Sequence, residues 1–179
     1  PVRLQEADLM VESVSTAASA LQGQAIDVTW VVKNIGDAAA STRWSDRVHF
    51  AASPDLSGAT VLTNRPVGEA SPLAPGASYN GSARVALPLN PNLAAGNYVV
   101  VVVADGANQQ PESDENNNKA SSGIAVTPPP FPDLVVSNIL GPEVGVAGQV
   151  VDLVWTVANQ GTAAATGPWS ETISLSGDE

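Results

Sequence analysis

The residues of this sequence best equipped for chemistry lie between 104 and 118, in the stretch ADGANQQPESDENNN. Asp105, Glu112, Asp114 and Glu115 offer carboxylates, and Asn108, Asn116, Asn117 and Asn118 offer amide oxygens. Calcium takes about six to eight such oxygens, so these four acids are the candidate calcium ligands. Their spacing is not that of an EF-hand loop, which places ligands at near-alternate positions and ends on a bidentate glutamate. The preferred reading is a solvated hairpin between two strands, where Asp and Asn cap their own backbone. A hydrolytic pair is not expected. Glycosidase carboxylates face each other across a cleft, on rigid elements and beside apolar walls that raise a pKa. Here the acids share one loop.

The single histidine, His49, shares a strand face with Ser45 and Arg47, while Asp46 points to the other face. A nucleophile, base and acid cannot line up on that pattern, so His49 reads as a surface residue. Trp30 and Trp155 sit within apolar alternation and read as core. Trp44 and Trp169 fall at the start of a strand, where partial exposure would make them platforms for sugar stacking; core is still the preferred reading.

Composition narrows the field. Seven Lys plus Arg against 18 Asp plus Glu give a net charge of −11. Too few cations are present to form a basic patch, so nucleic acid is not an expected partner. The longest apolar run, residues 98–104, is far too short for a membrane-spanning helix, and membrane insertion is not expected. The absence of cysteine excludes disulfides, thiolate metal sites and cysteine nucleophiles. No cofactor other than the calcium considered above is expected.

The elements that must position these residues repeat. Displaced by 125 residues, the two ends of the chain match without a gap. Asp8-Leu9 falls on Asp133-Leu134, Gly23-Gln24 on Gly148-Gln149, Trp30 on Trp155, Asn34 on Asn159, Gly36 on Gly161 and Trp44-Ser45 on Trp169-Ser170. Such self-similarity marks a repeat array. It predicts one complete domain over 1–127, a proline-rich linker over 128–132 and the N-terminal part of a second copy over 133–179. Consecutive prolines favour an extended polyproline II rod. The second copy would hold Leu153, Trp155, Val157, Ile173 and Leu175 on strands and lack the strands that cover them. The expected resolution is continuation past Glu179; the alternative is strand addition from a second chain.

Within one copy the apolar period is two. Ile26, Val28, Trp30 and Val32 share a face, as do Trp44, Val48 and Phe50, and Tyr79, Ala83, Val85 and Leu87. Strands are predicted over 7–14, 24–33, 43–51, 59–67, 78–87, 97–104 and 121–127. The penultimate one is apolar enough to be covered on both faces. Turn-rich segments such as SPDLSG, SPLAPG and LNPNLAAG separate them. About seven short strands predict an all-β fold, an immunoglobulin-like antiparallel sandwich.

Several motifs then come in order: the Asp-Leu start, Gly-Gln…Trp…Asn-x-Gly, Trp-Ser-Asp-x-Val at 44–48, Leu-x-Pro-Gly at 73–76, Gly-x-Tyr at 96–98 and Glu-x-x-Glu-x-Asn-Asn at 112–118. Together they resemble the CARDB family, the cell-adhesion-related domain found in bacteria. The resemblance implies tandem immunoglobulin-like modules in large secreted or cell-surface prokaryotic proteins, without shared catalysis, and a structural role for the Glu and Asn residues of 112–118. The expected function is therefore a non-catalytic stalk, fibre or adhesion unit at the cell surface. Its partners would be neighbouring repeats of the same or an identical chain, or a surface glycan or protein. An accessory carbohydrate- or calcium-binding module of a secreted enzyme is the alternative. In such a host the Asn-Gly-Ser glycosylation pattern at 80–82 reads as accidental.

Overall fold

The computed structural model describes residues 4–90 and 92–177. Pro91, inside the LNPNLAAG turn, and Glu179, the end of the expected second copy, lie outside the described residues. The chain divides into two compact units, Pro1–Pro129 and Pro130–Glu179.

The first unit is built from β1 (Leu9–Ser15), β2 (Ser19–Leu21), β3 (Ala25–Asn34), β4 (Ser45–Ala51), β5 (Thr60–Pro66), β6 (Ser78–Ala86), β7 (Gly96–Val103) and β8 (Lys119–Thr127). One 3-10 turn, Gly68–Ala70, follows β5. The strands form two sheets, ordered β1-β3-β6 and β2-β8-β7-β4-β5, whose apolar faces make the sandwich. The expected alternation holds residue by residue. Along β3, Ile26, Val28, Trp30 and Val32 are buried while Ala25, Asp27 and Thr29 are exposed. Facing them are Val48 and Phe50 of β4, Val100 and Val102 of β7, and Ile124 and Val126 of β8. Val101, on the other face of β7, is also buried, as its apolar run predicts.

One strand, β2, is not among those expected from the sequence. β2 has three residues and one inward side chain, Ala20, so it has no period to detect. It pairs parallel to β8, from Ser19↔Ala125 to Leu21↔Thr127. Among the described residues the sandwich therefore has eight strands, with one parallel edge, rather than seven strands all antiparallel.

β3 lies between β1 and β6, and Trp30 is opposite Gly81 of β6. The Trp30 indole lies across the neighbouring strand, and a Cβ on Gly81 would overlap its ring atoms. Glycine is thus required here for close packing, with no positive φ involved.

In the second unit, β9 (Leu134–Leu140) pairs antiparallel with β10 (Val154–Asn159). The register Leu134↔Asn159 and Val136↔Val157 repeats Leu9↔Asn34 and Val11↔Val32 of β1 and β3. Two expectations are corrected. Leu153 lies just before β10, and Ile173 and Leu175 are not in a strand. Backbone polar groups need partners to form a ladder. Their counterpart β4 is held by β5 and β7, and no such strands stand beside residues 169–175 among the described residues.

Gly81→Val is expected to destabilise the first unit by about 3 kcal/mol or more, as overpacking against a fixed indole does. Denaturant unfolding of the full chain measures this. A loss below about 1 kcal/mol would show that the indole can move aside.

Candidate functional site

The acidic loop joins β7 to β8, and its side chains reach back to the start of β1. The Leu9 amide donates to Glu112 Oε2. Ser113 Oγ donates to Asp8 Oδ2 at 2.9 Å, and Asn117 Nδ2 to Asp8 Oδ1 at 2.8 Å. The Ser113 amide donates to the Ala7 carbonyl. At the other end of the loop the Gln110 amide donates to Asp105 Oδ2, and Gln110 Oε1 accepts from the Thr42 amide. Asp114 behaves as an exposed turn residue, accepting from the amide and side chain of Asn116. Asp105 departs from the solvated reading: it is 2% exposed.

These contacts divide the four candidate ligands. Asp105 Oδ1, Glu112 Oε1 and Asn117 Oδ1 are buried and accept no hydrogen bond. Asp114 is turned onto its own backbone, and Glu115 Oε1 accepts from the Glu112 amide. Among the described residues, no three Asp, Glu or His side chains are grouped so as to hold a metal ion. Burial pushes the Glu112 carboxyl up to about 7, offset in part by the Leu9 amide and reinforced by the like charges of Glu115 and Asp105.

Asn34 closes the same end of the sandwich. It is the last residue of β3 and is fully buried. Its Oδ1 accepts from the Asp8 and Gly36 amides at 3.1 and 3.0 Å. Its Nδ2 donates to the Ala38 and Leu73 carbonyls at 2.8 and 2.9 Å.

Asp46 is also fully buried, on the apolar face of β4 between Trp44 and Val48. Trp30 Nε1 donates to its Oδ2 at 2.7 Å. The Tyr79 hydroxyl lies 2.9 and 2.8 Å from its two oxygens. Trp44 Nε1 donates to the Tyr79 oxygen at 3.2 Å. Trp30 and Tyr79 stand on the three-stranded sheet and Asp46 on the five-stranded one, so the cluster pins sheet to sheet. Burial raises the Asp46 pKa, against the donors Trp30 and Tyr79 that lower it. Burial likewise drives the Tyr79 pKa upward, helped by the Asp46 charge, so its hydroxyl remains a donor.

Trp44 is 2% exposed, which removes it as a sugar platform; Trp169 is 56% exposed. His49 is half-buried rather than a free surface residue, and its Nδ1 has no partner. Burial, then the Arg47 charge, lowers its pKa. No acid or nucleophile is bonded to it.

Four side-chain bonds of the first unit recur in the second. Asn159 Oδ1 accepts from the Asp133 and Gly161 amides, and Asn159 Nδ2 donates to the Ala163 carbonyl. Trp155 Nε1 donates to Glu171 Oε2 at 2.6 Å, as Trp30 does to Asp46. Residues 169–175 flank an apolar cleft of about 680 Å³, lined also by Leu134, Val136, Leu153, Trp155 and Val157.

The CARDB family model matches residues 6–122. The CARDB domain of a Pyrococcus furiosus protein, solved in complex with di-metal ions, is similar in fold. It has a TM-score of 0.51 and 21% identity, over 72% of this chain and 100% of that one. A domain described as belonging to a cell surface protein of Methanosarcina acetivorans has a TM-score of 0.46 and 19% identity, over 68% of this chain and 93% of that one. A β-glucosidase of Listeria innocua, in complex with laminaribiose, has a TM-score of 0.43 and 15% identity. That match spans 69% of this chain and 16% of the enzyme. No curated protein matches the sequence.

Two outcomes follow from this geometry. Asn34→Ala orphans the Asp8 and Gly36 amides and takes a donor from the Ala38 and Leu73 carbonyls, the latter still accepting from the Ala40 amide, and should cost about 2 kcal/mol or more in unfolding free energy; a cost under about 1 kcal/mol would mean that water replaces the amide. Glu112 has its pKa raised in the fold, so its contribution is fully present below 4.5 and is lost as pH rises through about 7. Between pH 4 and 8 the wild type should therefore lose on the order of 1 kcal/mol more than Glu112→Gln. Parallel pH profiles for the two chains would contradict the assignment.

Proposed function

The chain belongs to the CARDB family, a cell-adhesion-related module of bacteria, and we propose that it is a non-catalytic spacer or adhesion unit from a tandem array at a prokaryotic cell surface. One observation carries this reading: several of its chemically capable side chains hold strands together. Glu112, Asp8 and Asn117 tie the acidic loop to β1. Asp46 ties one sheet to the other. The tandem arrangement is supported by the bonds of Asn34 and Trp30 recurring at Asn159 and Trp155. The prolines at 128–130 and 132 favour a stiff connection between modules.

An extracellular setting fits the acidic, cysteine-free composition, with its net charge of −11. Among the described residues no helix is long and apolar enough to cross a membrane. The partners proposed are neighbouring modules and a surface protein or glycan, gripped by many weak contacts whose avidity grows along the array.

Two measurements test the reading. Antibody against the chain should label intact cells of its source; labelling only after lysis would contradict the surface role. Millimolar calcium should leave the thermal midpoint of the full chain within about a degree of its value in chelator. A cation bound only by the native state would raise it by mass action, and such a rise would make Asp105 and Glu112 parts of a metal site.

A further inference from the structure

β4 and β7 run antiparallel, so the end of β4 and the start of β7 lie at the end of the sandwich opposite the acidic loop. That end holds a cleft of about 340 Å³ between residues 51–60 and residues 88–93. Its floor is aromatic. The rings of Phe50 and Tyr98 stack with centroids 4.9 Å apart, and the Tyr98 hydroxyl donates to the Ala94 carbonyl at 2.9 Å. Stacking covers one face of the tyrosine ring, yet Tyr98 is only half-buried and lines the cleft. Among the described residues no charged side chain lines it, and its polar lining is Ser57, Thr60 and Asn90. We propose that this cleft binds one neutral pyranose unit of a surface glycan, stacked on Tyr98. The inference rests on the adhesive reading above and gives that partner a chemistry and a place.

A pyranose presents a flat face of C–H groups and a rim of hydroxyls. The first packs on an aromatic face, and the second needs neutral donors and acceptors. The cleft supplies both. Ser57 and Thr60 offer hydroxyls, each a donor and an acceptor. Asn90 Oδ1 is occupied by the Asn92 amide at 2.9 Å, which leaves Nδ2 to donate. The volume lies at the lower end of the range for small-ligand sites, about 300–1,000 Å³, and suits a single sugar. Both walls are set before a ligand arrives. On one, Asp55 Oδ1 accepts from the Ser53 hydroxyl and the Ser57 amide at 2.6 and 2.8 Å. On the other, the buried Gln22 donates through Nε2 to the Leu93 carbonyl at 2.7 Å. Three other clefts of this unit fit a neutral sugar less well. Arg47 and Glu115 line one, and Arg65 and Glu69 another. The third, at Ser13 and Ser82, meets only the buried Trp30 and offers no open ring.

The test is a titration of the full chain with methyl β-glucoside and methyl β-galactoside, followed residue by residue by NMR. Both stand for a sugar in glycosidic linkage. At millimolar concentration at least one should shift the amides of residues 50–60 and 88–98 and leave those of 105–118 in place. Tyr98→Ala should bind about tenfold more weakly or worse, while Tyr98→Phe, which keeps the ring, should bind as the wild type does. Tyr98 packs against the core, so Asn90→Ala, at an exposed position, gives a second check that spares the fold, with about threefold weaker binding expected. Absence of shifts with either sugar would overturn the proposal, as would shifts outside the cleft or shifts unchanged in both alanine variants. If that happens with a chain that still labels intact cells, the site falls and the surface reading stands. Tighter binding of free glucose than of its methyl glycoside would assign the cleft to a free sugar, and would overturn the glycan.

Discussion

A carboxylate buried between two β-sheets is costly unless its oxygens are matched by donors. Asp46 meets that condition through Trp30 Nε1 and the Tyr79 hydroxyl, both reaching from the opposite sheet. Apolar packing holds the sheets together but specifies no unique alignment between them. The hydrogen bonds to Asp46 are directional, and they are satisfied only when β3, β4 and β6 sit in one relation. The orientation of Trp30 then dictates glycine at 81, and the Tyr79 oxygen in turn receives the Trp44 indole. Much of the core follows from how one acid is accommodated.

The same economy governs the loop end. A sandwich must end its strands in loops whose backbone groups need partners. Here Asn34 serves four of them, and Glu112, Asp8 and Asn117 bind the β7–β8 loop to the first strand. In space these side chains form a clasp between the beginning and the end of the module.

The strands were legible because a half-buried strand imposes a period of two, and β3, β4 and β6 keep it strictly. β2 was not, since three residues carry no period. Asp46 left a trace that was readable: an acid in phase with Trp44, Val48 and Phe50 must point inward, and needs donors there. Asn34 left a weaker one, because Asn at a strand end is more often an exposed turn residue. Gly81 was hidden within an Asn-Gly-Ser pattern, and its reason, an indole across the strand, exists only once β3 and β6 are paired. Trp44 and Trp169 match in sequence yet differ in burial, 2% against 56%. Burial belongs to the strands packed around a residue rather than to the residue itself.

The account stands on Asp46 and Tyr79 acting together across the sheets. A double-mutant cycle on the full chain, with Asp46→Ala, Tyr79→Phe and both, measures that coupling by denaturant unfolding. A coupling energy of about 1–3 kcal/mol is predicted for partners in one buried network. Losses that add to within about 0.5 kcal/mol would mean the two residues act independently, and that apolar packing alone aligns the sheets.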